Sequence, residues 1–269
     1  MLIKAAINGG RSRAEHPAVP VSPDEQGAAV VDCLRAGADA IHLHVREISG
    51  DKRSTAASWV ESLRSEKESL YPEDVARTLL AVRSAVAQAK IGAPKAQIGI
   101  STGAWILPDP AARLQAVAAW EVLPGFASVN FSEDGALELA QLLFSRGVDV
   151  EAGLCDADAA EVFLRSGLAA RCIRVLLEPQ EQEMARALET VCAIEKVLEP
   201  RSVESAAPLP LLLHGTEATV WPMMEESIAR GYGVRIGLED TLVMPDGRVA
   251  RNNAELVTEA VRRVRFPKI

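Results

Sequence analysis

The 269-residue sequence predicts an α/β fold, a (β/α)8 TIM barrel formed as a single domain over residues 1–269. Short apolar runs of strand length alternate with longer amphipathic runs of helix length, and the pair recurs eight times, as parallel strands joined by crossover helices require. No linker divides the chain into halves, and barrels of this kind commonly reach this length as one domain. No Gly-x-Gly-x-x-Gly follows the first strand. Asn8-Gly9-Gly10 is only a turn, which counts against an open dinucleotide-binding sheet.

Strand one is expected at residues 2–8 and is followed by a loop through Pro20. The first helix opens at Ser22-Pro23-Asp24-Glu25, where Ser22 suits the N-cap and Pro23 the first turn, and it ends near Gly37. Strand two spans 40–46, and the irregular stretch 47–70, rich in Ser, Gly and charge, reads as a mobile loop or lid. The next expected elements are a helix at 72–88, strand three at 97–102, a helix at 109–120 and strand four at 127–132. A helix at 135–146, strand five at 149–154, a helix at 157–168 and strand six at 172–177 come next. The long helix 180–198 leads through a Pro-containing turn into strand seven at 209–214. A helix at 221–230, strand eight at 233–239 and a helix at 252–265 complete the set.

Composition excludes several function classes. The net charge is −8, with no block of like charge and no basic stripe, so neither nucleic acid nor an anionic membrane is an expected partner. No apolar run approaches the roughly 20 residues of a membrane span, and the first residues lack the pattern of a signal peptide. Cys33, Cys155, Cys172 and Cys192 have no paired spacing, so a reducing, cytoplasmic location is expected.

Side chains two apart on a strand share a face, so His42, His44 and Arg46 point one way while Ile41, Leu43 and Val45 point the other. On strand eight the same alternation groups Arg235, Gly237 and Glu239, with Asp240 at the strand's exit. In a closed barrel strand eight lies beside strand one, with strand two on its other side, and active sites form at the C-terminal strand ends. Two imidazoles and a carboxylate would then make a three-ligand metal site with an open position. Satisfied core histidines, a helix cap at Glu239-Asp240 and structural ion pairs at Arg46 and Arg235 are the alternatives, but so many inward polar groups would be costly without a function. Ser101 and Thr102 end strand three, Ser128, Asn130 and Ser132 alternate along strand four, and His214 ends strand seven. Together they make a polar ring able to orient a small oxygen-rich substrate.

The segments Ala5-Ala6-Ile7-Asn8-Gly9, His16-Pro17, Pro20-Val21-Ser22-Pro23-Asp24-Glu25, Ala36-Gly37-Ala38, His42-Leu43-His44-Val45-Arg46, Ile100-Ser101-Thr102-Gly103 and Arg235-Ile236-Gly237-Leu238-Glu239-Asp240 together resemble the β-keto acid cleavage enzymes over nearly the whole barrel. The resemblance implies a metal-dependent barrel, usually with zinc, that exchanges acyl groups between a β-keto acid and acetyl-CoA as co-substrate. Its products are acetoacetate and a new acyl-CoA, by retro-Claisen chemistry, and the expected assembly is a homo-oligomer, a tetramer in this family. By motif, His42, His44 and Glu239 would bind the metal. Asp240, held by Arg235, would be the general base, and Ser101 would position the substrate. Thr102, Asn130, Arg46 and Arg11 are the other expected substrate contacts. The donor set would also accept manganese, cobalt or nickel.

The chain departs from the family pattern in three places. Arg11 or Ser12 stands where the family often has an acidic reader of a substrate amino group, so a neutral or anionic tail is expected. Leu177-Glu178-Pro179-Gln180-Glu181-Gln182-Glu183 replaces a Gly-rich loop after strand six, and Leu213-His214-Gly215-Thr216-Glu217-Ala218 departs from the pattern after strand seven. An acidic segment is a poor neighbour for phosphates. A metal-dependent aldolase or lyase without CoA, and a non-catalytic barrel subunit, are therefore the alternative readings.

Overall fold

The computed structural model describes residues 1–47, 66–91, 97–199 and 209–266. Eight parallel strands close in sequence order: β1 (Ile3–Ala6), β2 (Ala40–Leu43), β3 (Gln97–Ser101), β4 (Phe126–Asn130), β5 (Asp149–Leu154), β6 (Arg174–Leu177), β7 (Leu211–Leu213) and β8 (Gly233–Ile236). Among the described residues eight α-helices surround them: α1 (Pro23–Ala36), α2 (Pro72–Gln88), α3 (Pro110–Ala118), α4 (Ala136–Ser145), α5 (Ala157–Arg165), α6 (Met184–Leu198), α7 (Val220–Ala229) and α8 (Asn253–Arg265). The expected (β/α)8 barrel is the observed fold. Ser22 caps α1 in a full capping box with Glu25, and Gly37 ends the helix in the left-handed region, as the sequence implied.

Two strands stop earlier than their apolar patterns. β2 ends at Leu43 and β8 at Ile236, so His44, Arg46, Glu239 and Asp240 lie just past the ladder. Asparagine side chains continue the pairing there. Asn8 accepts from the His44 amide (2.8 Å) and donates to the His44 carbonyl (2.9 Å). Asn253 accepts from the Leu238 amide and donates to the Ile7 carbonyl, both at 2.8 Å. Side-chain amides thus replace backbone partners where the strands splay, and the polypeptide at the mouth stays fixed. The lid expected over 47–70 falls mostly on residues outside those described. Its described end returns antiparallel to the exit of β2, with the Ser69 amide donating to the Val45 carbonyl at 2.9 Å.

Outward-facing strand residues such as Ile41, Leu43, Val150, Val175 and Val234 join the helices in one apolar core. The barrel interior below the mouth is ionic. Glu151 on β5 accepts from both Lys4 on β1 and Arg174 on β6, and Arg174 also donates to Gln97 and lies 4.4 Å over the Phe126 ring. Burial lowers Lys4 to about 8 even beside Glu151. Burial would raise Glu151, but the two cations outweigh it and hold the carboxyl far below its usual range.

Candidate metal centre and active site

The barrel brings His42, His44 and Glu239 together: one ligand atom from each lies within 4.8 Å of the others. The two imidazole Nε2 atoms are 3.1 Å apart, and the Glu239 oxygens lie 3.7 Å from His42 Nε2 and 3.5 Å from His44 Nε2. Ligand atoms about 2.0–2.2 Å from one tetrahedral ion are about 3.3–3.6 Å from each other, so these separations suit a shared divalent cation. Glu239 Oε2 is buried without a hydrogen-bond partner among the described residues, as an oxygen reserved for a cation would be. Gly9, at φ +50°, permits the close approach, since a Cβ there would collide with the Glu239 side chain.

Glu68 completes the shell around the triad. Its carboxylate binds His44 Nδ1, which leaves the Nε2 lone pair for a metal. Trp105 Nε1 donates to the same Glu68 oxygen at 3.3 Å, and its indole lies over the imidazole with 6.0 Å between ring centres. Burial disfavours the His44 cation, but Glu239 and Glu68 outweigh it and raise its pKa to about 9. Burial keeps His42 neutral. Glu68→Gln is expected to weaken metal binding by about 10–100-fold. Competition with a calibrated chelator measures this.

Asp240 is fully buried beside the triad. Arg235 holds it from Nε (3.2 and 3.3 Å) and from a terminal nitrogen (2.8 Å), and that same nitrogen pairs with Glu239. One guanidinium therefore fixes the relative position of a metal ligand and the neighbouring carboxylate. On its other side Asp240 Oδ1 lies 3.5 Å from His214 Nδ1.

The other residues expected at the site take different parts. Ser101 is buried and accepts from the Gly103 amide at 3.3 Å. Thr102 Oγ1 donates to the Ser128 carbonyl at 2.6 Å, joining β3 to β4. Asn130 donates to Glu133 at 2.8 Å. Arg46 is spent on main-chain oxygens, donating to the carbonyls of Gly9, Arg11 and Glu66. Arg11 donates to the Glu239 carbonyl at 3.2 Å and pairs with Glu15 and Glu217.

The family model for the beta-keto acid cleavage enzyme matches residues 1–266. The chain belongs to the β-keto acid cleavage enzyme family. It is an enzyme that cleaves a β-keto acid, and it is 26% identical over 279 residues to 3-keto-5-aminohexanoate cleavage enzyme from Fusobacterium nucleatum subsp. nucleatum. That match spans 97% of this chain and 90% of the relative. Among solved structures, a homocysteine methyltransferase from Escherichia coli has a TM-score of 0.54 at 13% identity, covering 97% of this chain and 96% of the other. An N-acetylmannosamine-6-phosphate 2-epimerase from Clostridium perfringens has a TM-score of 0.53 at 9% identity, covering 89% and 87%. These two likenesses concern the barrel fold alone. No helix among the described residues is long and apolar enough to cross a membrane.

In this β-keto acid cleavage enzyme two further groups face the mouth. Glu178 follows β6, and burial raises its carboxyl to about 7. His214 follows β7, with Nε2 3.7 Å from Glu178 Oε2, and burial lowers it to about 4. An unfolded Glu178 would ionise near 4.5. The folded chain therefore holds the extra proton between pH 4.5 and 7, and the stability Glu178 confers is present below 4.5 and lost as pH rises to 7. Glu178→Gln should remove that slope. Thermal melts of both proteins from pH 4.5 to 7 measure the difference.

Proposed function

We propose that this enzyme converts a β-keto acid and acetyl-CoA into acetoacetate and a new acyl-CoA, with a divalent cation, zinc first, held by His42, His44 and Glu239. The observation that carries the reading is the convergence of those three ligands with Arg235 and Asp240 on one mouth. A cation held by those residues would supply Lewis acidity that makes the C2 protons of a β-keto acid easier to remove.

Asp240 removes a C2 proton, and Arg235 keeps its carboxylate in place while it does so. The C2 carbanion attacks the thioester carbonyl of acetyl-CoA and expels the thiolate. The thiolate then adds to the original keto carbon, and the C2–C3 bond breaks to release acetoacetate and the new thioester. Asp240 returns its proton to C2. Ser101, at the end of β3, orients the substrate in this reading, and Asn130 lies on the next strand. The family's small-molecule chemistry supports this reading, and a homo-oligomer, a tetramer, is the assembly we propose for it.

The test supplies metal-loaded protein with acetyl-CoA and a panel of β-keto acids, and scores acetoacetate and new acyl-CoA by mass spectrometry. Product from at least one acid, lost in Glu239→Gln, is expected. Cleavage of an acid without any acyl-CoA would replace this reading with CoA-independent cleavage.

A further inference from the structure

In the closed order of eight strands β2 and β6 lie diametrically opposite, so Glu178, just past the end of β6, stands across the mouth from the end of the strand that leads to His42 and His44. The Glu178 side chain is 16% exposed, and no hydrogen bond holds its carboxyl among the described residues. It presses against Gly153 on β5, where any Cβ would collide with it, so the carboxyl occupies space kept open by that glycine. Behind it stands His214, 4% exposed.

The His214 tautomer follows from its neighbours. Nδ1 lies 3.1 Å from the Gly215 carbonyl, which can only accept, so Nδ1 carries the hydrogen and Nε2 the lone pair. Nε2 is buried, has no hydrogen-bond partner among the described residues, and lies 3.7 Å from Glu178 Oε2. While Glu178 is ionised neither atom carries a hydrogen and no bond can form; once Glu178 gains a proton, a small movement brings the pair to hydrogen-bond distance. A carboxyl open to the mouth and backed by an idle acceptor is built to take up a proton and hold it briefly. The transfer reaction assigned to Asp240 leaves this pair unused.

We propose that Glu178, positioned by His214, is a further catalytic residue that activates a water molecule against the keto carbon, so that the barrel also cleaves its β-keto acid by hydrolysis. The inference rests on the β-keto acid and metal parts of the reading above and is independent of its CoA part. Glu178 takes a proton from water as the oxygen bonds to C3. The C2–C3 bond breaks with its electron pair going to C2, and Glu178 returns the proton there. One β-keto acid and one water thus give acetate and the carboxylic acid of the acyl group, which releases a proton to solvent. His214 Nε2 accepts the hydrogen bond of the protonated Glu178 between the two transfers.

The surroundings favour a small neutral acceptor on this side. The first amides of α6, next to the mouth, are already taken by the carboxylate of Glu183, which accepts from Ala185 (3.0 Å) and Arg186 (3.3 Å). Glu133, also half-buried at the mouth, has its carboxyl raised by burial and by Glu178, so the sector between β4 and β6 is acidic. Water enters such a sector more readily than a phosphate-bearing nucleotide.

The experiment incubates zinc-loaded protein with acetoacetate, 3-oxohexanoate or 3-oxoadipate in ¹⁸O-water without any CoA ester. Mass spectrometry then follows both carboxylic acids, and a parallel sample contains acetyl-CoA. We expect acetate together with an acyl-derived acid carrying one ¹⁸O. Glu178→Gln should slow this cleavage by about 10²–10⁴-fold. Glu178→Asp, which keeps the charge, should recover part of it, and His214→Gln should lower kcat with little change in KM. Melting curves identify any variant that has unfolded, and the Asp variant then decides the assignment. Absence of acids without CoA while acyl-CoA forms in the parallel sample overturns the inference and leaves the transfer reading intact. Acids without CoA and no acyl-CoA in the parallel sample uphold it and remove acetyl-CoA from the proposed function. Unlabelled acids, or full hydrolysis by both Glu178 variants, overturn it.

Discussion

Asp240→Asn is expected to lower the turnover of β-keto acid cleavage by about 10²–10⁴-fold, the usual contribution of a positioned base. The amide keeps the shape of the carboxylate and can still accept from Arg235, but it cannot take the C2 proton. Metal binding should survive, because Asp240 is not among the three converging ligands and Arg235 still pairs with Glu239. The informative comparison is therefore metal stoichiometry beside kcat. One metal per chain with a collapsed kcat supports the role of Asp240 as base. Loss of metal together with activity would make Asp240 a support for the metal centre.

Glu151→Leu should cause the largest loss of stability of any single change below the mouth. Lys4 and Glu151 are fully buried, and Arg174 is 3% exposed. Removing the carboxylate leaves two cations in the barrel interior with no counter-charge between them, and uncompensated buried charge costs about 3–5 kcal/mol. Urea unfolding measures it as a lower midpoint at similar slope. Lys4→Met in the same chain should restore part of the loss by removing one of the stranded cations. A Glu151→Leu protein as stable as the parent would mean that the interior is wetter than the packing indicates.

The strand and helix order was legible because each unit carries its own period, two for strands and 3.6 for helices. The same alternation placed His42 and His44 on one face, and the closed order of a barrel placed strand eight within reach of strand two. Arg46 shares that alternation, yet the ladder stops at Leu43 and the guanidinium is spent on three carbonyls. Periodicity cannot tell where a strand ends when side chains such as Asn8 take over the pairing. Glu68 and Trp105 were not visible, since both come from loops without periodicity and meet His44 only in three dimensions. The Lys4, Glu151 and Arg174 cluster did leave a signal. Lys4 and Arg174 are each a single charge inside an apolar run, and Glu151 stands between Val150 and Ala152, the mark of an inward position on a strand buried on both faces. Their mutual pairing depends on barrel closure across β1, β5 and β6.

The most direct test of the central claim is a metal titration of chelator-stripped protein, with cleavage of a reactive β-keto acid followed at each addition. Activity is expected to be absent at the start, to rise linearly to a plateau at one divalent ion per chain, and to stay absent in His42→Ala at the same metal concentrations. Full activity in the stripped protein, or a plateau reached equally by His42→Ala, would contradict a reaction centred on His42, His44 and Glu239.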